Sequence, residues 1–384
     1  APAAPPPLCG AGCFAWLLGF SGTGVAAWGR AAAAAAASGA RRSWSSPRGG
    51  GGGYTLDALE DVGLLGCGAF GAVTLVRCPA SGEALALKAV SKGIIIEKRM
   101  QRAVMLEKAA MQRTCSPFVI RLVATFNSSE HLFFLMEAAL GGDLCSVYVR
   151  YGFHGSERHA RFYVACMLRA LEHLHGQGVV YRDIKMENVV LDGSGYGKLC
   201  DFGMATCLSG PEDRAYTVCG TPGYMAPEVV EAGHTGYSYA ADWWSLGVLL
   251  YELMTGTSPF AAPDAPQIHA RVLAGIEVVS FPEGRLWPAL VRGLCRRSPE
   301  ERLPRQPDGT RLVEEHEWYG EEVGFDWRAH AAREMPAPHV PRVNGPIDLS
   351  NFCASWLDRP RDVPYEDPGT GWEEGFEDTF VAGG

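Results

Sequence analysis

The densest run of reactive side chains lies between residues 179 and 191, in the stretch VVYRDIKMENVVL. Arg182, Asp183, Lys185 and Asn188 are placed there between two apolar anchors. Charged groups are costly to bury unless each one is paired or holds a ligand. Asp183 could accept a proton from a hydroxyl group, and Lys185 could stabilise a phosphoryl group in transfer. The stretch predicts a loop for proton and phosphate chemistry, fixed at both ends in the core.

Two further motifs offer partners for this loop. Asp201, in CDFGMA, and Asn188 provide the oxygen ligands that magnesium prefers. Lys88 ends the apolar run ALALK, where its ammonium group needs an anion, and Glu107 on the next helix is a candidate. Taken singly, each residue is more often part of a surface loop or an ordinary ion pair. Their order along the chain favours a shared role.

A glycine-rich stretch, LGCGAFGAVTLV, precedes these motifs and contains Gly66, Gly68 and Gly71. Glycines let backbone amides approach phosphates without a side-chain clash. Alone, the spacing is weak evidence. A dinucleotide-binding version would open a helix, whereas this loop runs into a strand pattern. The sequence therefore predicts a flap folded over nucleotide phosphates.

In this order, the glycine loop, Lys88, Glu107, YRDIKMEN, DFG and APE resemble the protein kinases. Within them the chain is most similar to the AGC group, and there to the cGMP-dependent protein kinases, on MEAALGGDL, GYGKLCDFGMA, LCRRSPEERL and GPIDLSNF. The resemblance implies a serine/threonine kinase that uses ATP and Mg²⁺. It gives catalytic roles to Asp183, Lys185, Lys88 and Glu107, and metal-binding roles to Asn188 and Asp201.

The same resemblance implies an adenine site around a hinge at residues 137–142, with Met136 as gatekeeper. Val73 and Ala86 would enclose the base. The implied ATP-binding residues are Leu65, Gly66, Gly68, Gly71, Val73, Ala86, Lys88, Met136, Glu137 and Ala139.

The stretch AYTVCGTPGYMAPE at 215–228 resembles an activation segment. Phosphate on Thr217 would pair with Arg182, and Thr221 would help to position the substrate hydroxyl. Close relatives usually have a Lys where Thr206 stands, so the phosphate pocket is expected to be weaker.

Three acids match positions that bind arginines before the acceptor residue in basophilic kinases. Asp143, Glu187 and Glu252 imply a preference for R-R/K-x-S/T substrates, because carboxylates bind guanidinium groups in a bidentate manner. Asp143 is one methylene shorter than the usual Glu. The resemblance also implies structural roles: an ion pair between Glu228 and Arg302, and support of the catalytic loop by Asp242.

The elements that must position these residues are readable from hydrophobic periodicity. Alternation predicts a strand at 84–90 and an apolar run predicts a buried strand at 131–137. Helical patterns cover 97–113 and 156–178, the latter with Ser156 as its cap. A small strand-rich part therefore precedes a larger helical part, which agrees with an α+β bilobal kinase fold.

Composition suggests three regions. Residues 1–53 are rich in Ala, Gly, Pro and Ser and are predicted to be a disordered leader, with a targeting sequence as the alternative. Residues 54–319 are predicted to be the catalytic domain, with an N-lobe at about 54–137 and a C-lobe at about 143–319. The predicted C-terminal tail, 320–384, is rich in Pro and acids.

Charge and cysteine usage limit the partners. The net charge of −9 disfavours nucleic acid and suits basic protein substrates. The 12 scattered Cys indicate reduced thiols, and with no apolar run of spanning length the expected location is cytoplasmic. A cyclic-nucleotide-binding regulatory domain or subunit is the implied partner. The cAMP-dependent catalytic subunit, a pseudokinase scaffold, a nonkinase nucleotide-binding module and a lipid or small-molecule kinase are the alternatives.

Overall fold

The computed structural model describes residues 54–379 with the exception of 211, 232–234, 305–308, 321–322 and 362. The predicted disordered leader, 1–53, lies outside the described residues, as do residues 380–384.

The first lobe is built on an antiparallel sheet. Its strands are ordered β1-β2-β3-β5-β4, with a short last strand of the chain, β10, beside β4. The run predicted at 84–90 is a strand, and the apolar run at 131–137 is a strand with five consecutive buried residues. The strands are β1 (Glu60–Gly68), β2 (Gly71–Arg77), β3 (Ala84–Ser91), β4 (Leu122–Asn127), β5 (His131–Glu137) and β10 (Asp378–Thr379).

The helical segment predicted at 97–113 is wrong at its start. Two helices cover this region, α1 (Lys92–Glu97) and α2 (Gln101–Gln112). Between them Arg99 has a φ of 56°, in the left-handed region, which interrupts the helical hydrogen-bond pattern. Periodicity does not report such a break, because apolar residues recur on both sides of it.

The second lobe is mainly helical. Residues 241–250 of its central helix are buried without interruption, as expected for a helix that is apolar on all sides. Two small ladders, β6 with β9 and β7 with β8, frame the polar loops. The elements are α3 (Leu144–Tyr151), α4 (Glu157–Gly176), β6 (Val179–Val180), β7 (Val189–Leu191), β8 (Gly197–Leu199), β9 (Thr206–Cys207), α5 (Pro227–Val230), α6 (Ala240–Thr255), α7 (Ala265–Ala274), α8 (Trp287–Leu294), α9 (Arg311–Glu314) and α10 (Trp327–Ala331).

Ser156 occupies the predicted cap position of α4 but does not cap the backbone. Its hydroxyl instead shares a hydrogen bond of 2.7 Å with His159 Nδ1. The position was predictable from residue type, whereas the choice of partner depended on a nearby imidazole.

The C-terminal tail returns to the first lobe. Phe376 is fully buried and lies edge-on to Phe134, with ring centroids 5.2 Å apart. Lys108 Nζ donates to the carbonyl oxygen of Gly375 at 2.7 Å. Asp378 then pairs with Thr125 of β4, so the tail covers an otherwise unpaired sheet edge.

The predicted α+β bilobal architecture is confirmed. Within the described ranges, no helix is both long enough and apolar enough to cross a bilayer.

Replacing Phe376 by Ala should lower the free energy of unfolding by about 3 to 5 kcal/mol, because it leaves a cavity beside Phe134. Chemical denaturation measures this change. Leu357→Ala is the matched control, since Leu357 is 84% exposed and should have little effect. Equal stability of the two variants would contradict the docking of the tail.

Candidate active site

The polar loop after β6 is organised around the carboxylate of Asp183. Thr221 donates to Asp183 Oδ1 from its backbone nitrogen at 3.1 Å and from Oγ1 at 2.7 Å. Lys185 Nζ and Asn188 Nδ2 each lie 2.8 Å from Asp183 Oδ2. Both oxygens are therefore held by predicted site residues, and the buried Asp183 is compensated by hydrogen bonds and one positive charge.

Asp242, fully buried on α6, holds this loop from below. Its Oδ2 accepts from Tyr181 N at 2.9 Å, and its Oδ1 accepts from Arg182 N at 2.7 Å. His175 Nε2 also lies 2.8 Å from Asp242 Oδ2. The sequence interpretation did not identify His175. Its place at the end of α4, just before the loop, was the available signal.

Lys88 connects elements of both lobes. Its Nζ lies 2.7 Å from Glu107 Oε1 on α2 and 2.9 Å from Asp201 Oδ1 in the DFG stretch. The positive charge of Lys88 lowers the pKa of Asp201. Burial raises the pKa of Glu107, against the opposing effect of Lys88. Burial alone would lower the pKa of Lys88, but the two carboxylates together raise it.

The glycine loop forms the hairpin between β1 and β2, where Gly68 pairs with Gly71. A Cβ on Gly71 would lie 1.8 Å from Ala89 O, so only glycine fits there. At Gly66 and Gly68, a Cβ would meet no heavy atom of the described chain within 4 Å. These two positions leave open space on the flap, as a backbone that approaches a ligand closely requires.

The predicted adenine-site residues share one apolar cluster. Met136 and Ala86 are buried in it, and Leu65, Val73 and Ala139 pack against it. Ala86 pairs with Met136 across β3 and β5, and Val73 pairs with Lys88 across β2 and β3, so these residues lie on adjacent strands.

Glu137, at the start of the hinge, uses its side chain for structure. Its Oε1 accepts from Arg121 N at 2.9 Å and from Lys198 Nζ at 2.8 Å. The buried Lys198, on β8, was not identified from sequence, because a lone Lys in a short strand is usually a solvent-exposed residue. It joins the hinge to the strand that precedes Asp201.

Asp201 and Asn188 are the predicted ligands of a divalent cation. Asp201 Oδ1 accepts from Lys88 and from Gly203 N, and among the described contacts neither of these bonds uses Oδ2. The side chain of Asp201 is 48% exposed, and the amide nitrogen of Asn188 is directed at Asp183. Within the described ranges no group of three or more His, Cys, Asp and Glu side chains could hold a metal ion. Two oxygen ligands suit Mg²⁺, which keeps several waters and shares phosphate oxygens.

Of the three predicted substrate acids, Glu187 and Glu252 interact electrostatically. Burial, with a further contribution from Glu187, raises the pKa of Glu252 to about 7. Burial also raises the pKa of Glu187. Tyr224 donates a hydrogen bond to Glu252. Asp143 differs, because it caps α3: its Oδ1 accepts from Ser146 N at 2.8 Å and its Oδ2 from Ser146 Oγ at 2.6 Å.

The remaining predicted residues lie beside the activation segment. Arg302 is fully buried and binds Glu228 with two hydrogen bonds, of 2.6 and 2.9 Å. Thr217 is exposed, and its carbonyl oxygen accepts from Tyr237 at 2.6 Å. Arg182 Nη1 lies 3.1 Å from the same Tyr237 hydroxyl. Thr217 and Arg182 are thus linked by a residue that was not identified from sequence.

Known proteins resemble this chain over most of its length. The family described as "Protein kinase domain" matches residues 59–306. The cGMP-dependent protein kinase 2 of Rattus norvegicus is 39% identical over 320 residues, covering 83% of this chain and 41% of that protein. The human protein of the same name is 40% identical over 296 residues, covering 77% and 38%. The cGMP-dependent protein kinase egl-4 of Caenorhabditis elegans is 38% identical over 327 residues, covering 84% and 40%. The chain spans about two fifths of the length of these relatives.

Replacing Asp242 by Asn should lower the free energy of unfolding by about 2 to 4 kcal/mol, because an amide cannot accept from all three donors. Chemical denaturation checks this. Asp264→Asn is the control: Asp264 is exposed and caps α7 through one oxygen, which an Asn can replace. If Asp242→Asn were no more destabilised than the control, Asp242 would not support the loop.

Proposed function

This chain belongs to the protein kinase family, and we propose that it is a serine/threonine kinase that transfers the γ-phosphate of ATP to protein hydroxyls with Mg²⁺ as the metal. One observation supports the proposal: Lys88, the predicted phosphate-binding residue, forms ion pairs with both Glu107 and Asp201, and Asp201 is a predicted metal ligand. A pseudokinase that had lost nucleotide chemistry would not need to retain this set.

The chain's residues divide the work as follows. Asp183 Oδ1 accepts the proton of the substrate hydroxyl, and Thr221 fixes that oxygen by two hydrogen bonds. Lys185, held 3.1 Å from Thr221 Oγ1, places positive charge beside the transferring group. Phosphoryl transfer needs little covalent assistance, so position and charge provide most of the rate.

Asn188 and Asp201 would hold the magnesium ions, and Lys88 would hold the α- and β-phosphates. When bound, the metal neutralises the charge that develops on the phosphates. The hairpin glycines, Gly66 and Gly68, would let the backbone close over them. Met136, Val73 and Ala86 would enclose the adenine.

The preferred substrates are proposed to carry arginines before the acceptor Ser or Thr. Glu187 and Glu252 are half-buried acids that interact electrostatically, and a guanidinium group can neutralise such acids with bidentate bonds. Asp143 would contribute to a second arginine site, at the cost of its bonds to Ser146. The proposed substrates therefore have a basic sequence of the type R-R/K-x-S/T.

Cyclic-nucleotide control is proposed from the relatives, which are named cGMP-dependent protein kinases. A cyclic-nucleotide-binding domain or subunit would be the regulatory partner, with cAMP as the alternative nucleotide. Phosphate on Thr217, paired with Arg182, is proposed as the second level of control. None of the cysteines that the structure describes forms a disulfide, which supports a reducing compartment such as the cytoplasm.

Asp183→Asn should lower the turnover number with an Arg-Arg-x-Ser peptide by about a hundredfold to ten-thousandfold, because the amide cannot accept the hydroxyl proton. Radiolabelled phosphate transfer from ATP, with and without Mg²⁺, measures this. The control is Asp57→Asn, at an exposed position in the first lobe. Activity in the Asp183 variant equal to the control would remove Asp183 from its assigned role.

The affinity for basic peptides should fall as the pH is lowered from 8 to 6. Glu252 has its pKa raised to about 7, so its charged form is lost across this interval. A single group of that pKa predicts a rise of about tenfold in the peptide KM. The Glu252→Gln enzyme should instead have a high peptide KM that depends little on pH. The unmodified enzyme should show the same behaviour with a peptide that has Ala two residues before the acceptor. An unchanged KM in the unmodified enzyme would rule out arginine binding at Glu252.

A further inference from the structure

Tyr237 pairs with the activation segment through its backbone. Ala215 N donates to Tyr237 O at 2.8 Å, and Tyr237 N donates to Ala215 O at 2.9 Å. The neighbouring Gly236 has a φ of +66°, and a Cβ there would lie 2.8 Å from Arg214 Cβ. The two segments are therefore in direct contact through their backbones.

The side-chain hydroxyl of Tyr237 makes three further contacts, one with a backbone carbonyl oxygen and two with side chains. It donates to Thr217 O at 2.6 Å, accepts from Arg182 Nη1 at 3.1 Å, and lies 3.7 Å from Cys219 Sγ. A phenol has one proton to donate and lone pairs to accept with, so these roles are compatible. Tyr237 is 2% exposed, and at this depth such bonds are costly to lose.

Arg182 is the other end of this connection, and its backbone is tightly held. Its nitrogen donates to Asp242, its Nε donates to Met204 O at 2.5 Å, and its φ of 72° lies in the left-handed region. It directly precedes Asp183. A group that binds the Arg182 side chain therefore ties the activation segment to the residue beside the proposed base.

In this network the guanidinium group of Arg182 is bound by two neutral groups, the carbonyl oxygen of Met204 and the phenol of Tyr237. Position 206, where close relatives of the resembled group usually carry a Lys, holds Thr206, which pairs with Val180 in a short ladder. The order of the segment around Thr217 therefore comes from backbone pairing and from Tyr237, without requiring a cluster of cations.

We infer that the Tyr237 hydroxyl is a positioning group that holds the activation segment in its working arrangement before Thr217 is phosphorylated. Phosphate on Thr217 then gives Arg182 a stronger, charge-assisted partner and makes the phenol partly redundant. This inference rests on the proposed kinase function and concerns the regulation of the same site.

The experiment compares Tyr237→Phe with the unmodified enzyme in two forms, dephosphorylated and phosphorylated at Thr217, both verified by mass spectrometry. In the dephosphorylated form, kcat/KM for an Arg-Arg-x-Ser peptide should fall about tenfold, the effect of one hydrogen bond to a charged group. The KM for ATP should not change. In the phosphorylated form the fall should be below about threefold, because phosphate replaces the lost partner of Arg182.

Tyr216→Phe is the matched control, because Tyr216 is 59% exposed and lies beside Thr217. It should match the unmodified enzyme in both forms. A Tyr237→Phe variant with unchanged kinetics in the dephosphorylated form overturns the inference. An equal loss in both forms, accompanied by a lower melting temperature, also overturns it, since that result indicates a purely structural residue.

Hydrogen exchange gives a readout that does not depend on catalysis. In the dephosphorylated Tyr237→Phe variant, amides of the activation segment should exchange faster than in Tyr216→Phe, and the difference should shrink after phosphorylation. Unchanged exchange would contradict the inference even if the chain transferred no phosphate. An inactive unmodified enzyme with the predicted exchange difference would contradict only the proposed function.

Discussion

The contact of Lys88 with two carboxylates from different lobes is the constraint on which the site depends. Glu107 lies on a helix of the sheet lobe, and Asp201 follows a strand of the helical lobe. Lys88 pairs with the buried Glu107 and the half-exposed Asp201, and it can pair with both only when both lobes are in place. The same ammonium group is the proposed partner of the nucleotide phosphates. The contact between the lobes and the proposed nucleotide site therefore depend on the same charged groups.

The second lobe holds the loop that carries Asp183 in place. The buried α6 provides Asp242, which fixes the backbone at Tyr181 and Arg182 and thereby places Asp183. Thr221 donates to the carboxylate of Asp183 from the activation segment, so the proposed positioning residue and the proposed base are in direct contact. The carboxylates of Asp183 and Asp242 are both hydrogen-bonded, which offsets the free-energy cost of burying them in a mostly apolar lobe.

Much of the fold and of the candidate site could be predicted from sequence, and the errors have identifiable causes. Short motifs with fixed spacing located Lys88, Asp183, Asn188 and Asp201, because local chain geometry dictates where such residues lie. The helix expected from residue 97 begins at Gln101, since a single left-handed residue is invisible to periodicity. The predicted boundaries of the leader, at residue 53, and of the tail, at residue 320, remain predictions.

Other partners were not accessible from sequence because they depend on long-range packing. Lys198, His175 and Tyr237 reach Glu137, Asp242 and Thr217 across separate elements. Residue type alone also could not show that both carboxylate oxygens of Asp143 accept hydrogen bonds from Ser146, at the start of α3. These are contacts in which the neighbour, not the residue, decides the role.

Calorimetric titration of a nonhydrolysable ATP analogue, with and without Mg²⁺, tests the central claim most directly. If Asp201 is a metal ligand, Mg²⁺ should strengthen binding of the analogue to the unmodified protein by about tenfold or more. The Asp201→Asn variant should bind the analogue equally well with and without Mg²⁺. An equal effect of Mg²⁺ on both proteins, or no binding of the analogue to the unmodified protein, would contradict a shared nucleotide and metal site at Lys88 and Asp201.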